Sequence, residues 1–125
     1  MKKKRSPRET NDWVKILHSP WYLDECLKPW QAVRVTMRPG MGWARAIREA
    51  MELSTTEMGR RIGMSHAGVR KLELSELAMM ISLASLYKLA EGLDCDLRYV
   101  LLPRTPLTQR HNERVEALFR QMGWR

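Results

Sequence analysis

Residues 54–65 constrain this chain more than any other stretch. Ser54-Thr55-Thr56-Glu57 reads as a capping box, in which the serine hydroxyl accepts from the amide of Glu57 and the glutamate side chain reaches back to the serine amide. The short helix so started carries Met58 and Ile62 one turn apart, with Arg60 and Arg61 facing outward. Gly63 ends it, since glycine enters the left-handed conformation without steric cost. Ser65 then offers a second N-cap, and Ala67 to Leu74 continues as another helix with Val69 and Leu72 inward. Gly59 lets that second helix approach closely. Met58, Ile62, Val69 and Leu72 would hold the two at a fixed angle.

The flanking segments supply the rest of an all-α domain. From Trp43 to Leu53 the residues Trp43, Ala46, Ile47, Ala50 and Met51 fall on one helical stripe, which makes Trp43 a core candidate. Ser82 caps a further helix in which Leu83, Leu86, Leu89, Ala90 and Leu93 repeat at helical spacing, and Gly92 and Asp94 stop it. The intervening Leu74–Ile81 is a long apolar loop whose Leu77, Met79 and Met80 either fill a dimer interface or cover the core. Residues 9–38 are helix-prone but interrupted, and Leu107–Met122 reads as a polar amphipathic helix.

Leu97-Arg98-Tyr99-Val100-Leu101-Leu102 has another character: short, rich in β-formers, and bounded by Asp96 and Pro103. A single strand needs a partner. The economical one is the same strand in a second copy, which makes Leu97, Tyr99, Val100 and Leu101 dimerisation candidates; the alternative is one more helical core segment.

These spacings resemble the Xre-type (phage-repressor-like) helix-turn-helix family over about residues 43–93. Four segments carry a closer likeness: Leu23-Asp24-Glu25-Cys26-Leu27-Lys28-Pro29, Gly42-Trp43-Ala44-Arg45-Ala46-Ile47-Arg48-Glu49-Ala50, Ser82-Leu83-Ala84-Ser85-Leu86 and Leu97–Pro103. Across roughly residues 22–103 they are similar to the group called mobile mystery protein A. The resemblance implies a five-helix lambda-repressor-like domain with one short C-terminal β-strand pairing across a dimer. It also implies a DNA-binding repressor that reads a palindromic operator in double-stranded DNA as a homodimer. Members of the group are typically encoded beside a Fic-domain protein, so an antitoxin-like autoregulator with a Fic-type toxin partner is implied as well.

In such a domain the third helix enters the major groove with its N-terminal residues on base edges. By the family pattern those positions are His66, Ala67, Arg70 and Lys71, with Gly68 allowing close approach. Arginine or lysine can bond guanine O6 and N7, His66 can donate to a purine N7, and Ala67 can touch a thymine methyl. Thr55, Thr56 and Ser65 sit at helix starts, where hydroxyls and free amides suit phosphate oxygens, and Arg45, Arg60 and Arg61 are further phosphate candidates.

Charge alone is a weaker guide. The 22 Lys and Arg exceed the 14 Asp and Glu by 8. Lys2, Lys3, Lys4, Arg5 and Arg8 account for five of those charges, in a tail that reads as disordered and serves either as an arm along phosphates or as a solubilising leader. The expected organisation is a basic tail over 1–12, a helical extension over 13–40, the DNA-binding domain over 41–96, a dimerisation strand over 97–103 and a C-terminal helix and tail over 104–125.

No Ser-His-Asp set, glycine-rich phosphate loop or paired catalytic carboxylates can be found, so an enzyme is not expected. His18, His66 and His111 have no cysteine or carboxylate at metal spacing, so neither metal nor cofactor is expected. Cys26 and Cys95, far apart, suit a reducing cytoplasm and no disulfide framework. The longest apolar run, Leu77–Ile81, is too short to span a bilayer. A second reading is a protein-interaction module that sequesters a partner with little or no DNA binding. Trp13 and Trp21 are its interface candidates, set against simple packing of an N-terminal helix.

Overall fold

Caps and corners written into the sequence set the helix boundaries of the computed structural model, which describes residues 18–123. Six α-helices occur among the described residues: α1 (Pro20–Leu27), α2 (Trp43–Ala50), α3 (Thr55–Ile62), α4 (His66–Leu77), α5 (Leu83–Gly92) and α6 (Leu107–Gln121), with a 3₁₀ segment over Lys28–Val35. The chain divides into two units, residues 36–99 and residues 18–35 with 100–123. Four helices, α2 to α5, lie in the first unit, one fewer than the five-helix domain expected. The basic tail and Trp13 fall outside the described residues.

Serine hydroxyls begin three of the four helices in the 36–99 unit. Ser54 Oγ accepts from the Glu57 amide at 3.1 Å, Ser65 Oγ from Gly68 at 3.1 Å and Ser82 Oγ from Ser85 at 3.1 Å. The glutamate half of the capping box differs from expectation, because the Glu57 carboxylate accepts the Ser54 hydroxyl at 3.1 Å. Gly63 ends α3 at φ 68°, ψ 43°, the left-handed cap that favours glycine. Directly after it the chain doubles back so tightly that a Cβ on Gly59 would lie 2.3 Å from the Met64 carbonyl oxygen, and the Met64 amide donates to Gly59 O at 2.8 Å. Any side chain at 59 would push α3 and α4 apart.

Each of the four helices then contributes to one small core. Ala44, Met58, Val69, Leu89 and Leu93 are buried, with Ile47, Ile62, Leu72 and Leu86 packed against them. Burying a side chain such as Val69 stabilises the fold by about 1.5–3 kcal/mol. The stripe on α2 is rotated from its expected phase: Ala44, Ile47 and Arg48 face inward, whereas Ala50 and Met51 are exposed and Trp43 is 45% exposed. Trp43 is therefore no core residue. Two carboxylates on α4, described below, turn this helix. Leu83 likewise faces solvent, as do Leu77, Met79 and Met80, and it is Ile81 of the α4–α5 loop that packs against the core.

The expected strand is not formed. Leu97 to Leu102 carry no regular secondary structure, and no strand occurs among the described residues. The physical reason is the one that made a lone strand doubtful: a single β segment has no ladder partner within its own chain. Leu97 and Val100 are half-buried, whereas Tyr99 and Leu101 are exposed.

The second unit pairs α1 with α6, and no residue of either helix is buried. Asp24 joins them. Its carboxylate accepts from the Leu107 amide at 2.9 Å, the Thr108 amide at 3.1 Å and the Thr108 hydroxyl at 2.9 Å, and so caps a helix that Pro106 leaves without a side-chain cap. These donors hold the Asp24 carboxyl below its ordinary range, the Thr108 amide foremost. Trp21 sets its ring edge-on to His111 at 5.1 Å.

Candidate nucleic-acid interface

On α4 the positions 66, 67, 70, 71 and 74 follow helical spacing along one face, and all five are exposed. His66 and Ala67 stand in the first turn, with Arg70 and Lys71 one turn further. Among the described residues neither Arg70 nor Lys71 forms a salt bridge, so both charges face water. Leu74 extends the row as an exposed apolar residue. Gly68 lies half-buried in the same part of α4. A Cβ there would lie 2.6 Å from the Met64 side chain, so the missing side chain makes room for the chain's own methionine.

The phosphate candidates separate into free and engaged groups. Thr56 and Ser65 are exposed at the starts of α3 and α4, and Thr55 is half-buried. Arg60 is exposed and makes no salt bridge among the described residues. Arg61 instead donates to the carbonyl of Gly92 at 3.0 Å, on the last turn of α5, where a cation also meets the negative end of the helix dipole. Arg45 pairs with Glu49 at 3.0 Å one turn along α2. That pair is exposed and can reopen at little cost.

Between α2, the start of α3 and α4 lies a polar cleft of about 280 Å³. Arg45, Arg48, Thr55, Arg70 and Glu73 line it, three guanidinium groups against one carboxylate. Arg45 pairs with Glu49 and Arg48 with Glu73, so it is Arg70, together with the amides at the start of α3, that the cleft offers an anion.

The feature that fixes this arrangement was missed in the sequence. Arg48 lies buried in α2 and makes a two-pronged ion pair with Glu73 of α4, Nε to Oε2 at 2.7 Å and Nη2 to Oε1 at 3.1 Å, while Nη1 donates to Leu53 O at 2.8 Å. Its hydrogen bond to Glu73 holds the guanidinium above its ordinary pKa against the opposing effect of burial. One turn later Glu76, also buried, accepts the amides of Trp43 at 2.9 Å and Ala44 at 2.7 Å, capping α2 from across the domain. Gly42 makes this possible: its φ is 86°, and a Cβ there would lie 2.7 Å from Glu76 Oε2. Arg38 closes the set by donating to the carbonyls of Glu76 at 2.9 Å and Leu77 at 3.1 Å. A signal for these acids was present in the spacing, since Val69, Leu72, Glu73 and Glu76 fall on one face of α4.

Residues 45–100 match a family model described as helix-turn-helix, the Xre-like kind, which covers α3, the Gly63 corner and α4. No curated protein and no solved structure matches the chain. Among the described residues no group of His, Cys, Asp and Glu is placed to hold a metal ion, and no helix is long and apolar enough to cross a membrane.

Proposed function

We propose that this chain is a sequence-specific DNA-binding transcriptional repressor, with α4 as the helix that enters the major groove. The observation that carries this reading is the exposed row His66, Ala67, Arg70 and Lys71 on a helix held rigidly by Arg48–Glu73 and by Glu76. Its two cations are unpaired, the state in which they can bond guanine O6 and N7. Thr55, Thr56, Ser65 and Arg60 then take phosphates on either side, and Arg45 joins them when its exposed pair with Glu49 opens. Arg61 acts by holding α3 to the end of α5.

The repressor works as a homodimer on a palindromic operator. Its half-sites lie about one helical turn, roughly 34–36 Å, apart. Leu97, Tyr99, Val100 and Leu101 gain their ladder partner from the same segment of the second copy. The similarity to the mobile mystery protein A group supports an antitoxin-like role: repression of its own operon and neutralisation of a Fic-type protein. A second reading, sequestration of a partner protein, draws on the unit of residues 18–35 and 100–123, where Trp21, Leu118, Phe119 and Met122 are exposed and neither helix buries a residue.

Fluorescence anisotropy with DNA from upstream of the gene tests the leading reading. It expects binding at least 10³-fold tighter than to scrambled DNA at one salt concentration, as specific DNA binders commonly show. Equal affinity for both DNAs, with a protein co-purifying, would favour sequestration.

A further inference from the structure

We infer that Arg38 is a positioning residue for DNA reading: it fastens the last turn of α4 and so fixes how that helix is presented to the groove. It acts on DNA only through α4, and the role rests on α4 being the reading helix. Arg38 precedes the residues 45–100 that match the family model, yet it reaches the far end of α4. One guanidinium nitrogen donates to the Glu76 carbonyl at 2.9 Å and another to the Leu77 carbonyl at 3.1 Å. The last carbonyls of a helix form the negative end of its dipole, so a cation with forked donors fits there. This end is weakly closed by its own backbone. At the α3 corner the left-handed residue is Gly63, whereas α4 uses Met79 at φ 59°, a conformation unfavourable to any residue with a Cβ. Met79 is also 80% exposed, so its side chain gains little from packing.

The two buried acids of α4 do not make Arg38 redundant. Glu73 and Glu76 both tie α4 to α2, through Arg48 and through the Trp43 and Ala44 amides. Arg38 holds α4 from a different segment and grips backbone atoms of the final turn. Small swings of α4 matter. Lys71 lies six residues beyond Ser65, about 9 Å along the helix axis. A swing of about 5° at the Gly63 corner would shift it by about 0.8 Å, whereas a recognition group must be held within about 0.5 Å. Arg38 itself is exposed, and its two terminal nitrogens already serve carbonyls.

The full chain tests this by fluorescence anisotropy with upstream and scrambled DNA over a range of salt, for wild type, Arg38→Met and Arg38→Lys. Arg38→Met removes the donors from an exposed side chain, so its helical circular dichroism should match wild type. Its ratio of affinities for upstream and scrambled DNA should fall by roughly 10-fold, within the range exerted by residues that do not touch the ligand. Its salt slope should stay at the wild-type value, because no phosphate contact is lost. Arg38→Lys, whose ammonium still donates to carbonyls, should recover most of the ratio. An intact ratio in Arg38→Met, even with a lowered urea midpoint, overturns the inference and leaves Arg38 a stabilising residue only. A slope reduced by about one overturns it too, since Arg38 then contacts a phosphate directly. A wild-type chain with equal affinity for both DNAs overturns the reading-helix assignment itself, and the role of Arg38 with it.

Discussion

Glu73→Gln should unfold the helix-turn-helix domain far more readily than a one-atom exchange on a surface would. Glu73 and Arg48 are only 6% and 8% exposed, and two hydrogen bonds of 2.7 and 3.1 Å join them. The amide removes the negative charge and turns an N–H₂ toward guanidinium donors, so one buried cation loses its counter-charge. Breaking a buried pair from one side costs about 3–5 kcal/mol. Against a total stability of about 5–15 kcal/mol for a domain of this kind, that is a large fraction. With a urea slope of about 1–3 kcal/mol per molar, the midpoint should fall by at least about 1 M. Arg48→Met with Glu73→Leu removes both charges together and should recover most of the loss, because apolar replacement of a whole pair is commonly neutral or better. Urea titration followed by circular dichroism reads both. If Glu73→Gln shifts the midpoint negligibly, or if the double variant is as unstable as the single one, the pair does not hold α2 to α4.

Two further outcomes separate residues that look alike in the sequence. Arg60→Ala should lower the salt dependence of DNA binding by about one unit of slope, while Arg61→Ala should leave the slope unchanged and cost roughly 1 kcal/mol of stability through its lost bond to Gly92. The joint between α1 and α6 should weaken in acid. A carboxyl whose pKa is lowered by folding contributes fully above its unfolded value, about 3.9, and loses that contribution as pH falls through the lower folded value. The protection factors of the Leu107 and Thr108 amides should fall over that window, and Asp24→Asn should remove that fall.

Local signals were legible because local chemistry writes them. Ser54, Ser65 and Ser82 cap helices as serines do, Gly63 turns the corner, and Met58, Val69 and Leu89 occupy the core at helical spacing. The phase of α2 was not legible, since it depends on two carboxylates more than twenty residues away: Glu76 takes its first amides and Glu73 takes Arg48. An apolar stripe through Trp43 was the better local pattern, and the distant acids overrode it. Asp24 capping α6 is equally non-local. The segment Leu97–Leu102 had the composition of a strand, but a ladder needs a second strand, which one copy does not provide. Gly68 was legible as a close approach, and within the chain the group that approaches it is the Met64 side chain.

The central claim is that α4 reads DNA sequence through Arg70 and Lys71. The most direct test is the ratio of affinities for upstream and scrambled DNA, measured at one salt concentration for wild type and for Arg70→Ala with Lys71→Ala. Each base-edge pairing accounts for about 1–3 kcal/mol of discrimination, so the loss of two should lower the ratio by roughly 30-fold or more. Circular dichroism should stay unchanged, since both side chains are exposed. A double variant that keeps the wild-type ratio would contradict the assignment of α4 as the reading helix.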